Sequence, residues 1–255
     1  VAIRIDLNAD VGESFGAYNI GHDVRLMTSI TSANIAAGFH GGDPSVLRET
    51  IRLAKSHKVA AGAHPGFPDL VGFGRREMQV TPREAEDLIL YQIAAVAGVA
   101  AAEGLVLQHV KAHGALNNMA FRDRALAAAL ARAVASFDRS LVLFAFPNSA
   151  VADAGRELGL RLALEVYADR AYEADGQLVS RRKPGSVIHD RALVVARAVR
   201  LVTDRLVPAV DGSVLELDAD TICVHSDTPG SDDLAATIRA GLEAAGVSVE
   251  AVGRG

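Results

Sequence analysis

The chain has 255 residues, half of them hydrophobic and 22% charged, with a formal net charge of -5. That length and apolar content support one α/β domain over residues 1–255 with a substantial core, and the acidic balance argues against nucleic acid, which wants a basic face. No apolar run reads as a membrane span, no charged and apolar leader precedes the first predicted strand, and the single cysteine, Cys223, excludes an internal disulfide and fits a reducing cytoplasm.

The first predicted strand covers 3–8. Its alternation places Asp6, Asn8 and Asp10 on one face, with Glu13 in the loop beyond. Acids on such a face near a barrel mouth serve as bases or metal ligands; the competing reading is a solvated strand end with turn-forming acids. The second strand, 32–37, carries Asn34 and runs into Gly38-Phe39-His40-Gly41-Gly42, where glycines let the backbone approach a ligand beside His40. Asp43-Pro44 then supplies an N-cap and a first-turn proline for a helix with Leu47, Ile51 and Ala54 on its apolar face. Asp43 competes there for the free amides that an anion would use.

The third strand, 59–64, closes on His64. The loop 65–80 follows, with Arg75 and Arg76 suited to clamping a carboxylate or phosphate, or to a solvated loop. Thr81-Pro82-Arg83-Glu84 is a capping box and opens a helix through Leu88, Gln92, Val96 and Val99. The fourth strand, 106–111, and its exit put His109, Lys111 and His113 on one face. A lysine among histidines and acids can bind an anion, polarise a carbonyl or act as a base with a lowered pKa; a structural Lys111–Asp6 ion pair is the plain alternative.

Strands at 141–146 and 160–166 come next, the second carrying Glu165, and the loop 168–185 holds Arg170. A helix starting at Asp190 has Val194, Ala198 and Val202 in its stripe. The last strand, 221–225, contains Cys223, read as a buried inert thiol, and ends at His225 with Asp227 just beyond. A final helix runs from about Asp232 to Ala245. His22, His57 and His189 read as surface or capping residues.

Seven strand–helix alternations predict a parallel sheet with helices outside. A (β/α) barrel is the leading architecture and a doubly wound open sheet the other. Only the weak stretch 186–188 offers an eighth strand, so the barrel is expected to be distorted or incomplete. Enzymes of both architectures gather polar residues at the carboxyl ends of their strands, so Asp10, His40, His64, His113 and His225 are expected to converge. The sequence has no Walker-type phosphate loop, and Ser226 does not sit in a Gly-x-Ser-x-Gly elbow. Its one His-x-x-x-His spacing, His109 to His113, falls on a predicted strand, which leaves open whether the histidines hold a metal.

Six collinear segments carry a resemblance: DLNADVGESFG (6–16), SANIAAGFHGGDP (32–44), HPGFPDLVGFGRR (64–76), VKAHGAL (110–116), EVYADRAYEADGQLVSR (165–181) and ICVHSDTP (222–229). Together they resemble the lactam-utilisation family, which supplies the A subunit of bacterial 5-oxoprolinase. The resemblance implies a distorted (β/α) barrel similar to certain glycoside hydrolases and deacetylases. It implies ATP-dependent opening of 5-oxo-L-proline to L-glutamate, exercised in the cytoplasm with partner subunits B and C. ATP, with Mg2+, would then be bound largely by a partner or at a shared interface. Ala37 stands where the family usually has cysteine, Ala112 where it has proline, Asn117 where it has tyrosine and Ser226 where it has glycine.

The resemblance carries these residues over as motif positions without roles; from the chemistry that ring opening needs, the catalytic set is Asp10, His40, His64, Lys111 and His113, with Asp10 or His113 as base and His40 or His64 as acid. Lys111 with Arg75 or Arg170 would clamp anions. Asp6, Asn8, Glu13, Asn34, Arg75, Glu165, Arg170, His225 and Asp227 form the substrate-binding set, and Asp43 and Asp169 are further motif positions. Two other readings remain: a metal-dependent hydrolase of deacetylase type, and a non-catalytic subunit that presents substrate to its partners.

Overall fold

The computed structural model describes residues 3–181, 183–224 and 230–253. In chain order it contains β1 (Arg4–Val11), α1 (Asp23–Leu26), β2 (Ser32–Ala36), α2 (Pro44–His57), β3 (Ala60–His64) and α3 (Pro82–Ala102). There follow β4 (His109–Lys111), α4 (Gly114–Ala120), α5 (Arg124–Phe137), β5 (Val142–Ala145), α6 (Ala150–Glu157) and β6 (Arg161–Val166). The chain ends with α7 (Arg191–Thr203), β7 (Leu206–Pro208), β8 (Val214–Glu216), β9 (Thr221–Val224), α8 (Ser231–Ala244) and β10 (Ser248–Val249).

Seven parallel strands close into a barrel in the order β1-β2-β3-β4-β5-β6-β9, with β9 pairing back onto β1. These are the seven strands that the alternation predicts. The short β10 adds to the start of β1 through Arg4↔Ser248 and Ile5↔Val249. The stretch 186–188 forms no barrel strand. Its Val187 makes only an isolated bridge to Arg170, so β6 meets β9 directly through Glu165↔Thr221 and Val166↔Ile222. An antiparallel β7–β8 hairpin occupies the chain between α7 and β9, outside the barrel sheet.

The sequence puts its apolar residues on the outer face of the strands. Ile5, Leu7, Ala9 and Val11 of β1, Ala33 and Ile35 of β2, and Ala61 and Ala63 of β3 are buried in the main core, against the helices. The alternate positions face the lumen and are largely polar: Asp6, Asn8, Asp10, Ser32, Asn34, His109, Lys111, Glu165 and Thr221 are all buried. Fully buried strands usually read as continuous apolar runs. Here polar residues alternate with apolar ones because the lumen houses a hydrogen-bonded network.

The helix starts follow their local chemistry. Asp43 caps α2 by accepting from the amides of Ser45 and Val46, and it also takes the amide of Gly16. Thr81 and Glu84 close a reciprocal capping box on α3. The expectation that no apolar run is long enough for a membrane span is corrected by α3, which with 21 residues passes by length and composition. In this fold α3 packs against α5 and β3, burying Ile89, Ile93 and Val96.

Candidate active site

The lumen network builds upward from Asp6. Its carboxylate accepts from Thr31 Oγ1 at 2.6 Å, Ser32 Oγ at 2.6 Å and Thr221 Oγ1 at 2.5 Å. Burial outweighs those three bonds and pushes the carboxyl up to about 6. Above it, Asn8 donates to Glu165 Oε1 at 3.0 Å and Thr221 Oγ1 at 2.7 Å. Asn34 donates to Asn8 Oδ1 at 2.7 Å and Asp10 Oδ1 at 2.9 Å. His109 closes this layer: its Nε2 bonds Asn34 Oδ1 at 2.8 Å and its ring stacks on Phe144 at 4.3 Å. Burial lowers its pKa to about 3, so the ring is neutral and donates to Asn34. The ring lies across Gly62, where a Cβ would overlap it.

Lys111 forms the centre of the site. Its ammonium donates to Asp10 Oδ1 at 2.9 Å, Asn8 Oδ1 at 3.3 Å and Cys223 Sγ at 2.9 Å, and pairs with Glu165 Oε1 at 2.9 Å. Burial alone favours the neutral amine. The carboxylates of Asp10 and Glu165 outweigh it and hold the lysine well above its ordinary value. Lys111 is therefore a fixed cation, which removes the base reading, and its ion pairs are with Asp10 and Glu165 rather than Asp6. Burial pushes the Cys223 thiol well up, as expected for an inert thiol. Tyr167 donates its hydroxyl to Glu165 Oε2 at 2.6 Å and presents its ring 5.6 Å from Lys111 Nζ.

The histidines sit above this floor. His64 Nδ1 bonds the Lys111 carbonyl at 2.8 Å, and His113 Nε2 bonds the Phe73 carbonyl at 2.8 Å. His64 Nε2 lies 3.0 Å from His113 Nδ1 and 3.3 Å from Asp10 Oδ1. Glu13 Oε1 lies 3.2 Å from His40 Nε2 and 3.6 Å from His113 Nδ1. The rings of His40 and His113 stack at 3.6 Å and 6°, whereas His64 stands edge-on to both. Burial first, and the other histidines second, hold His40 and His113 well below the usual imidazole range. Glu13, His40, His64 and His113 each offer one ligand atom, all within 4.8 Å of one another.

Loop 65–80 seals this cluster from one side. Phe73 sets its ring edge-on to His40 and His113. Gly74 has φ +63°, and a Cβ there would stand 2.7 Å from His40 Cβ and 2.8 Å from His113 Cδ2, so only glycine lets the loop come this close. Arg75 is exposed at the rim with its guanidinium 5.0 Å from the Phe73 ring. The cavity above has a volume of about 690 Å³ and is walled by Asp10, Glu13, His64, Lys111, His113, Tyr167 and Arg75, among others.

The predicted site residues thus split by place. Asp10, Glu13, His64, Lys111 and His113 converge on the cavity. Asp6, Asn8 and Asn34 lie beneath it in the lumen, and Glu165 sits beside Lys111. His40 is fully buried behind Glu13 and outside the cavity wall. Arg170 reaches the wall, but its guanidinium donates to the carbonyls of Ser186 and Val179 and so holds loop 168–185. Asp43 is spent on capping, and His225 and Asp227 lie outside the described residues. His22, His57 and His189 are exposed. Sequence reasoning missed Tyr167, Thr221 and Ser32. Tyr167 stands two residues after Glu165, and the same alternation that groups Asp6 with Asn8 would have found it.

A parallel α/β barrel with a caged ammonium, buried carboxylates and histidines at the carboxyl ends of its strands belongs to the barrels built as enzymes. The chain is a member of the LamB/YcsF family, whose sequence profile matches residues 5–254. It is 52% identical over 247 residues to a protein of Bordetella pertussis named as the A subunit of 5-oxoprolinase, covering 97% of this chain and 98% of that one. The protein of that name in Thermococcus onnurineus is 52% identical over 251 residues, covering 98% of each chain. The solved lactam utilization protein of Thermus thermophilus superimposes with a TM-score of 0.93 at 49% identity, over 98% of this chain and 100% of that one. A protein of Enterococcus faecalis V583, 13% identical with a TM-score of 0.54 over 98% of this chain and 97% of that one, shares the fold alone.

Proposed function

We propose that this chain is the A subunit of a 5-oxoprolinase and provides the site where the ring of 5-oxo-L-proline is opened to L-glutamate. The reading is carried by its full-length relationship, at about half identity, to proteins bearing that name. The site's chemistry agrees with it. A lactam is resonance-stabilised and its nitrogen leaves poorly, so ring opening needs an activated carbonyl, a base for water and a proton for the nitrogen.

Lys111, held protonated at the cavity floor, is placed to stabilise negative charge developing on the carbonyl oxygen. Asp10 lies beside it, takes the proton from water and returns it to the departing nitrogen. Arg75 at the rim receives the substrate carboxylate. We assign the ATP-driven activation, with its Mg2+, to partner subunits B and C or to an interface shared with them.

The test is glutamate formation and 5-oxoproline-dependent ATP hydrolysis, measured with and without the two partner proteins. The complete assembly is expected to form glutamate, and Asp10→Asn and His113→Ala are expected to abolish it while the fold persists. Near-normal turnover in both variants would overturn the assignment.

A further inference from the structure

We infer that His64 Nε2, His113 Nδ1 and Glu13 Oε1 form a three-ligand site for a divalent transition ion of the zinc class, with its fourth corner open to the cavity beside Asp10. The argument starts from which nitrogens carry hydrogen. A carbonyl oxygen only accepts, so the bonds to the Lys111 and Phe73 carbonyls place the hydrogens on His64 Nδ1 and His113 Nε2. The other two nitrogens then face each other across 3.0 Å, where each can offer a lone pair to a shared ion. Carboxylate oxygens of Asp10 and Glu13 stand 3.3 and 3.6 Å from them. Four electron-rich atoms converge on one buried space, an arrangement that a shared cation stabilises.

The spacing fits such an ion. Bonds of about 2.0–2.1 Å to nitrogen and oxygen in a tetrahedron set neighbouring ligand atoms about 3.3 Å apart. The separations of 3.0 Å from His64 to His113 and 3.6 Å from Glu13 to His113 bracket that value, and the ligand atoms all lie within 4.8 Å of one another. The two imidazoles stand at 89° to each other, so one point can lie in both ring planes. Carbonyls anchoring the far nitrogens supply the orienting outer bonds that metal-bound histidines normally have.

His40 belongs to the same cluster but not to the ligand set. Its ring is parallel to that of His113 at 3.6 Å, and an ion cannot lie in the planes of two rings so stacked. It also does not wall the cavity. His40 donates from Nε2 to Glu13 Oε1 and so positions that carboxylate. Imidazole and carboxylate donors suit zinc and its neighbours rather than calcium or magnesium. Bound there, the ion would supply an acidified water next to Asp10.

Use of the ion in ring opening rests on the proposed function; the site itself rests on geometry alone. The test is calorimetric titration of the chelator-stripped chain with Zn2+, with Co2+ absorption reporting the ligand field. One equivalent should bind, and His64→Ala or His113→Gln should abolish saturation. His40→Ala should keep the one-to-one stoichiometry with a loss of about ten- to hundredfold in affinity. No stoichiometric binding, meaning that a proton occupies the space, overturns the site. So does wild-type binding by both ligand variants, which would put the ion elsewhere, as at exposed His22 or His57. In the assembled enzyme, ring opening that continues unchanged after stripping removes the ion from catalysis and leaves the lactam reading standing. A chain that binds the ion but supports no ring opening keeps the site and removes that reading.

Discussion

Lys111 shows how a single buried charge can be both structural and chemical. Asp10 and Glu165 are each 2.9 Å from its ammonium, and all three groups are buried. Removing one partner of a buried pair leaves an uncompensated charge, which costs more than the pair itself contributes. Lys111→Met is therefore expected to lose about 3–5 kcal/mol of stability, read from urea unfolding, together with turnover. A variant as stable as wild type would show that the two carboxylates take up protons instead. Asp6 is the opposite case. Its carboxyl is raised from 3.8 to about 6, so the folded state holds its proton more tightly than the unfolded chain does. The stabilisation from this group is complete below pH 3.8 and is lost as pH rises through about 6. Relative to Asp6→Asn, the wild type should lose about 3 kcal/mol between about pH 4 and pH 7, from about 1.4 kcal/mol per pKa unit. A constant difference between the two proteins across that range would contradict burial as the source of the shift.

At the level of elements, glycines mark where the strands and loops must come close. Gly62 of β3 lies under the His109 ring, and Gly62→Ala would drive that ring off Asn34. The expected loss is about 1–3 kcal/mol by overpacking, with a fall in turnover as Asn34 loses its anchor. Gly98 of α3 has nothing within 4 Å of its would-be Cβ. Gly98→Ala should stabilise by about 0.5–1 kcal/mol through chain entropy, with turnover unchanged. Unfolding midpoints of the two variants moving in the same direction would contradict this contrast. Helix starts at Asp43, Thr81 and Asp190 were legible because each capping side chain bonds amides two or three residues away. The β7–β8 hairpin and β10 were not legible. Each strand is two or three residues long, and their pairings depend on neighbours distant in sequence or on a turn without a strong local signal.

Over the whole molecule, closure of the barrel is uneven. Among the described residues β1 pairs with β9 through four registered residues, from Asp6↔Thr221 to Ala9↔Val224, whereas β6 and β9 share two, as do β3 and β4. Loop 168–185 follows β6 directly. Arg197 of α7 ties the loop down by donating to the carbonyls of Ala168 and Arg170 at 3.0 and 2.9 Å. Local opening follows local bonding. Amides of β6 are therefore expected to exchange with deuterium before those of β1 and β2. Uniform protection around the ring would show that closure is cooperative at every strand.

Local order alone determined much of this protein. Hydrophobic alternation named seven strands, capping residues named helix starts, and the strand ends named Asp10, His64, Lys111 and His113 as neighbours. Those signals are readable because they act within a few residues or repeat with the period of a strand. Which nitrogen of each histidine faces the cavity, that His40 stands behind Glu13, that Arg170 is spent on its own loop, and that Lys111 pairs with Asp10 and Glu165 were decided by tertiary structure. Each depends on atoms brought together across the barrel, where burial and the position of one carbonyl or carboxylate set the protonation and direction of a side chain.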